Sequence, residues 1–250
     1  MPSDAELADI YSKENYHDLY YEEARAEGRY AASARLLKRI CGIRRALLDF
    51  GCGSGSFMIA ASREGFEVVG VEREQSAVQN ARDKTGLPVT TLADLQASER
   101  RFEMIHLGDV LEHLPDPAGT MRTLQRLLTA DGLFFVEGPL QANASLVYYV
   151  ARMVRALKTA VGLAARPTIA PTHLVLTTAQ AQRRFFMRTL GLRCIHFEVA
   201  ESGWPYCLEV PTPLGVAGVA RKVIGLAAIG VSFVVRGWGN RFAAVLEAPD

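Results

Sequence analysis

Residues 47–61, LLDFGCGSGSFMIAA, constrain this chain more than any other stretch. An apolar run leads through Asp49 to three glycines, Gly51, Gly53 and Gly55, and a helix-forming run begins at once. A backbone that turns this sharply and lets a ligand touch it needs residues without a β-carbon. The run therefore predicts a strand, a ligand-facing glycine turn and a helix, the opening unit of an α/β fold.

The residues around the loop separate two ligand classes. A nicotinamide or flavin dinucleotide fingerprint, G-x-G-x-x-G, would start at Gly51 and Gly53 and require glycine or alanine where Ser56 stands. Glu72 ends the second apolar run 23 positions after Asp49. A carboxylate there accepts hydrogen bonds from both hydroxyls of a ribose, which suits either class. Asp49 discriminates further, since beside the loop it repels a pyrophosphate but attracts a ligand bearing an ammonium and a sulfonium. Asp94, just after the third predicted strand, is placed to accept from an adenine amino group.

The 250 residues suffice to bury roughly three-quarters of the unfolded surface in a single core. With 28 basic and 27 acidic side chains and no Lys/Arg run dense enough to match a row of phosphates, nucleic acid is not an expected partner. Cys41, Cys52, Cys194 and Cys207 form no CxxC pair, so reduced thiols in a cytoplasmic protein are expected. The N-terminal stretch is polar and acidic, unlike a secretion signal. One apolar run, Val223 to Val235, reaches 13 residues, short of the ~20 that cross a bilayer as a helix.

Apolar runs alternate with helical patterns over the first two-thirds, which predicts a parallel sheet. Strands are expected at 45–50, 66–72, 87–92, 102–108 and 132–137. Helices are expected near 20–40, 55–64, 74–84 and 117–130, the last closed by Gly132. Between Pro139 and Pro171 the alternation gives way to one amphipathic helix at about 142–164. A further helix follows, with Thr177 and Gln180 at capping-box spacing and Gly191 at its end. Strands at 192–199 and 240–247 complete the pattern.

At DFGCGSG, the acidic end of VGVE, the ADL after strand three and GDVLEHLPDP after strand four, the chain resembles the class I S-adenosylmethionine-dependent methyltransferases, small-molecule enzymes with an LEHL segment. The resemblance covers about 46–137, and HLVLTTAQAQRRFFMRTLGL more loosely. It implies an α/β Rossmann-like, doubly wound, mostly parallel seven-stranded sheet. The last strand would be antiparallel and inserted between the fifth and sixth. Helices would cover both faces, with a helical insertion after strand five. It implies S-adenosylmethionine as cofactor and S-adenosylhomocysteine as product. Asp49, Gly51, Cys52, Gly53 and Gly55 would hold the methionine part, Glu72 the ribose, and Asp94 with Leu95 the adenine side, with Leu107 lining the site. Gly108 and Asp109 depart from the family, where a small polar residue and Glu are common. One domain is expected over 1–250, with a helical cap at 1–44, a cofactor core at 45–138, an insertion or lid at 139–172 and the rest of the sheet at 173–250.

A methyl donor needs its acceptor aligned behind the S–CH3 bond and, where the acceptor is protonated, a base. His113, after Glu112 in the segment leaving strand four, and His173, after the insertion, are the candidate catalytic residues. His106, inside a strand, reads as packed or exposed rather than catalytic. Asp109, Glu112 and His113 have the chemistry of a divalent-cation cluster, yet a solvated helix start explains them more simply, so no metal is assigned. Tyr20 and Tyr21 are candidates to close over the methionine end, with core packing the equal alternative.

The expected acceptor is a small molecule. A nicotinamide-dependent oxidoreductase and a non-catalytic binding protein of the same fold remain as competing classes. Leu146, Val150, Met153, Leu157 and Val161 share one helical face beside Arg152, Arg155 and Lys158, and Val223 to Val235 is likewise flanked by Arg221, Lys222 and Arg236. These segments suggest a lid over an apolar acceptor or peripheral contact with an anionic membrane. An ordinary surface helix is the plain alternative. Oligomeric state has no sequence signal.

Overall fold

The computed structural model describes residues 23–162, 174–203 and 215–248, with side chains from Gly28 onward. The leading helix α1 spans Glu23–Cys41. It is followed by β1 (Ala46–Phe50), α2 (Ser56–Arg63), β2 (Glu67–Val71), α3 (Gln75–Thr85), β3 (Val89–Thr90), α4 (Leu92–Ala97) and β4 (Phe102–Gly108). A 3-10 turn at Leu111–His113 leads to α5 (Pro117–Gln125) and β5 (Leu128–Pro139). Then come α6 (Leu146–Ala160), α7 (Ala179–Arg184) running into a π turn at Phe185–Thr189, β6 (Arg193–Ala200), α8 (Val216–Val234) and β7 (Arg241–Glu247).

The strands form one seven-stranded sheet in the order β3-β2-β1-β4-β5-β7-β6. β1 pairs in parallel with β2 and β4, β2 in parallel with β3, and β7 runs antiparallel to β6. This is the expected Rossmann-like topology, with β7 inserted between β5 and β6. Expected strands at 45–50, 66–72 and 102–108 coincide with β1, β2 and β4 to within a residue.

Four expectations need correction. β3 keeps only two residues of the expected 87–92, because Thr91 turns the chain into α4, its hydroxyl accepting from Asp94 N at 3.2 Å. α5 stops at Gln125, and Gly132 lies inside β5 instead of closing a helix. An added Cβ at Gly132 would meet Leu128 Cβ at 2.9 Å, so close packing, not a helix end, requires the glycine. The cap of α7 is Thr178, one residue beyond the expected Thr177, with its hydroxyl accepting from Ala181 N. The apolar run noted at Val223–Val235, 13 residues long, lies almost wholly in a longer helix: α8 has 19 residues because it continues through Arg221 and Lys222 back to Val216.

The described residues group into two compact units, one of 23–110 with 115–135, the other of 111–114 with 136–162, 174–203 and 215–248. The first has a dense apolar centre, with Leu47, Leu48, Met104, Ile105 and Phe134 fully shielded from solvent. In the second, Phe186, Ala244, Val245 and Leu246 are fully buried, and the Phe186 ring lies 6.0 Å from that of Phe242.

Candidate active site

The glycine loop lies in the first unit and is built by the end of β1. The N–H groups of Gly51 and Cys52 both donate to Val71 O, at 2.9 and 3.2 Å, and Gly55 N closes the turn onto Cys52 O at 2.9 Å. Gly51, Gly53 and Gly55 all have positive φ, at 72°, 56° and 86°, where a β-carbon is costly. Two of them are also crowded: a Cβ on Gly51 would meet Val110 Cγ2 at 2.7 Å, and one on Gly55 would collide with Thr85 Cγ2. Gly55 is the N-cap of α2 and offers no side-chain cap, so the first turn of that helix has no capping oxygen. Such a turn attracts a carboxylate.

Asp49 is 2% exposed and faces His106, its cross-strand neighbour on β4. His106 Nδ1 donates to Asp49 Oδ1 at 2.7 Å. The imidazole is held flat, stacked on Phe57 with ring centroids 3.6 Å apart and with Phe135 at 5.3 Å. Asp49 Oδ2 is buried with no hydrogen-bond partner among the described residues. A buried carboxylate oxygen left without a donor is costly, and an ammonium group supplies what it lacks. A buried acid two residues before the glycine loop, with an uncapped helix turn after it, suits the two charged ends of an amino acid.

Glu72 follows β2 and reaches over the same loop, with Oε1 accepting from Gly53 N at 2.6 Å and Oε2 from Arg73 N at 3.1 Å. Half-buried, it keeps free lone pairs for further donors. Because Gly51, Cys52, Gly53 and Gly55 all donate within the fold, a ligand here meets loop carbonyls and the start of α2 rather than those four N–H groups. Burial, with the Asp49 and Glu72 carboxylates near, pushes the Cys52 thiol far up and keeps it neutral. Leu95 and Leu107 are core residues of this unit, at 4% and 0% exposure. Asp94 is exposed and works as part of the α4 cap, its Oδ2 accepting from Thr91 Oγ1 at 2.8 Å.

Just after β4, Asp109 adopts a positive φ of 55°, a conformation that Asp tolerates better than most residues. Its carboxylate pairs with Arg29 of α1 at 3.4 Å, and Arg29 also lies over the Tyr30 ring. Burial raises the Tyr30 hydroxyl above its ordinary value, so it stays protonated. These two α1 residues and the Asp49–His106 pair are absent from the sequence reading. A histidine in the apolar strand MIHLG, on the strand expected beside β1, was the available signal for the pair.

In the second unit, Glu112 is buried and His113 half-buried, with His113 Nε2 4.0 Å from Glu112 Oε1. Glu112 O accepts from both Leu174 N and Val175 N, at 2.7 and 3.2 Å. His173, Tyr20, Tyr21 and Cys207 lie outside the described residues. Of the cation-cluster candidates, Asp109 belongs to the first unit and is engaged by Arg29, whereas Glu112 and His113 belong to the second.

Residues 21–196 match the family model described as "Methyltransferase domain". The chain is 33% identical over 97 residues to the ubiquinone biosynthesis O-methyltransferase of Proteus mirabilis, and 32% identical over 109 residues to that of Serratia proteamaculans. The matches cover 36% and 40% of this chain, and 40% and 45% of those relatives. The chain thus spans under half the length of the curated relatives it matches. Among solved structures, magnesium protoporphyrin IX methyltransferase from Synechocystis with bound S-adenosylhomocysteine superimposes with a TM-score of 0.61 at 12% identity, covering 99% of this chain and 100% of that one. An S-adenosylmethionine-dependent methyltransferase from Archaeoglobus fulgidus gives 0.57 at 17% identity, covering 93% and 100%. At these identities the structural likeness concerns the fold.

Proposed function

This chain belongs to the methyltransferase-domain family, and from that premise we propose that it transfers a methyl group from S-adenosylmethionine to a small-molecule acceptor. The observation that carries the reading is Asp49, whose buried Oδ2 lacks a donor beside a loop of three positive-φ glycines. A dinucleotide pyrophosphate would meet that carboxylate with like charge. The amino group of a methionine moiety would meet it as a partner, while Glu72 takes the ribose hydroxyls.

The cofactor supplies an activated methyl on a sulfonium, so the protein's work is alignment and, where the acceptor carries a proton, its removal. His106 holds Asp49 in one orientation through its Nδ1–H, and the Phe57 stack fixes the imidazole. His113, beside Glu112, is the described candidate for base or acceptor-orienting group. His173 is the second candidate. The relatives named O-methyltransferase favour an oxygen nucleophile. The reading extends to one methyltransferase domain working in the cytoplasm and touching a membrane only at its periphery.

Calorimetric titration with S-adenosylhomocysteine and NAD tests the cofactor. Saturable binding of the first and none of the second is expected, and the reverse would end the proposal. Isotope-labelled S-adenosylmethionine with hydroxylated aromatic acceptors tests turnover. His113→Gln and His173→Gln should each keep cofactor affinity, and the true base should lose ~10²-fold or more in kcat.

A further inference from the structure

Two excursions leave the sheet of the second unit and return to it, one carrying α6 and the other α8. Their bases meet at Asn143, whose side chain is buried. Its Nδ2 donates to Gly237 O and Gly239 O, both at 2.9 Å, and its Oδ1 accepts from Ala179 N at 3.2 Å. Asn240 closes the second excursion by accepting from Ser202 N at 2.9 Å.

By length and composition α8 can cross a membrane, but this fold opposes a crossing. β6 and β7, on either side of it in the chain, form one antiparallel ladder from Arg193↔Glu247 to Ala200↔Arg241. A single crossing would put the two strands on opposite faces of the bilayer. The 13 residues between Ser202 and Val216 are fewer than the ~20 a second crossing helix needs. Arg221 and Lys222 would also sit within the hydrocarbon, where charge is strongly disfavoured.

Instead both helices keep apolar stripes outside. On α8, Val216, Val219, Val223, Leu226 and Phe233 follow steps of three, four, three and seven, with Val216 89% and Phe233 83% exposed. On α6, Tyr149, Met153, Leu157 and the capping Val161 follow steps of four, all exposed, and the helix buries no residue. The Tyr149 ring lies 5.7 Å from Trp238 and 5.4 Å from Tyr148, an aromatic group of the kind that settles at the headgroup level.

Charge identifies the occupant. No Asp or Glu occurs between Glu137 and Glu198, nor between Glu209 and Glu247. Arg152, Arg155 and Lys158 lie on α6, with Arg221, Lys222 and Arg236 on or beside α8. A second copy of the chain on these stripes would bring the α6 cations Arg152, Arg155 and Lys158 of one copy against those of the other. Anionic headgroups supply the opposite charge.

We propose that α6 and α8 together form an interfacial anchor that lays this protein on an anionic bilayer, with neither helix crossing it. This specifies the peripheral contact of the reading above, and cofactor binding plays no part in it. The test is co-sedimentation with vesicles of phosphatidylglycerol and phosphatidylcholine, and of phosphatidylcholine alone, with S-adenosylhomocysteine affinity measured in parallel on the same samples. The anionic vesicles should bind the protein at least tenfold more tightly, and rising salt should weaken that binding. The exposed triple variant Arg152→Gln/Arg155→Gln/Lys158→Gln should lose ~100-fold, about fivefold for each cation near the surface. Leu226→Ser/Phe233→Ser should lose binding at every salt concentration while keeping cofactor affinity. Equal binding to both vesicle types, binding to neither, or full binding by the triple variant would overturn the anchor. So would a lipid-free dimer that Leu226→Ser/Phe233→Ser dissolves, since a second copy would then be the occupant.

Discussion

The two units handle burial in opposite ways. In the first, helices and strands put their apolar residues inside, and three positive-φ glycines, Gly51, Gly53 and Gly55, follow closely on the buried Asp49 carboxylate in one loop. In the second, a small centre around Phe186 and Phe242 holds the sheet, while α6 and α8 turn large apolar side chains to solvent. A ligand loop depends on a rigid base, because a displaced carboxylate loses its partner. A docking helix depends on the reverse, apolar area that its own unit leaves uncovered. On the proposed readings, cofactor binding belongs to the first unit and attachment to a surface to the second, and substitutions should separate them.

The largest expected effect is on the rigid side. Gly55→Val puts a branched side chain at φ 86° against Thr85 Cγ2. The left-handed conformation costs ~1–2 kcal/mol and overpacking adds ~1–3. Denaturant unfolding should show that combined loss. A variant as stable as wild type would mean that the loop is soft, and the contrast between the units would collapse.

Next comes Glu72→Ala, which removes the acceptor for Gly53 N and, in the proposed site, the acceptor for two ribose hydroxyls. Affinity for S-adenosylhomocysteine should fall by ~1.5–3 kcal/mol, with vesicle binding unchanged. Asn143→Ala is its counterpart in the second unit. It strands two carbonyls and one N–H that are otherwise bonded at the bases of α6 and α8. Stability should drop by ~1–3 kcal/mol, and hydrogen exchange should quicken over 143–162 and 215–240 while cofactor affinity holds. Unchanged exchange there would show that Asn143 is not the tie.

The same contrast governs how much could be read from the sequence. In the first unit, periodicity and loop chemistry are local, so β1, β2, β4 and the glycine turn were legible from residues a few positions apart. The Asp49–His106 pair was not, because it joins residues 57 apart through strand order. Gly132, also in the first unit, imitates a helix end until the packing against Leu128 is known. The length of α8 was hidden because Arg221 and Lys222 interrupt its apolar run without interrupting the helix. Asn143 carries no motif, since its partners lie 36, 94 and 96 positions away.

The smallest expected effect is a pH dependence whose sign differs between the units. In the first, Glu103 accepts from Arg45 N and Ala46 N at 2.6 and 2.9 Å, and those bonds hold its carboxyl below the usual range. Its contribution is present above the unfolded pKa and is lost as pH falls through the folded one. In the second, burial raises the carboxyl of Glu201, against the opposing pull of bonds from Gly203 N and Ser145. The native state there holds a proton that the unfolded chain has released, so its contribution is full below the unfolded pKa and is lost as pH rises through the folded one. Unfolding free energies measured from pH 3 to 8 should therefore respond in opposite directions. Glu103→Gln should flatten the acid limb, and Glu201→Gln should flatten the decline on the neutral side. Identical pH curves for wild type and Glu201→Gln would show that this carboxyl stays solvated, and that the base of α6 is as open to water as its outer face.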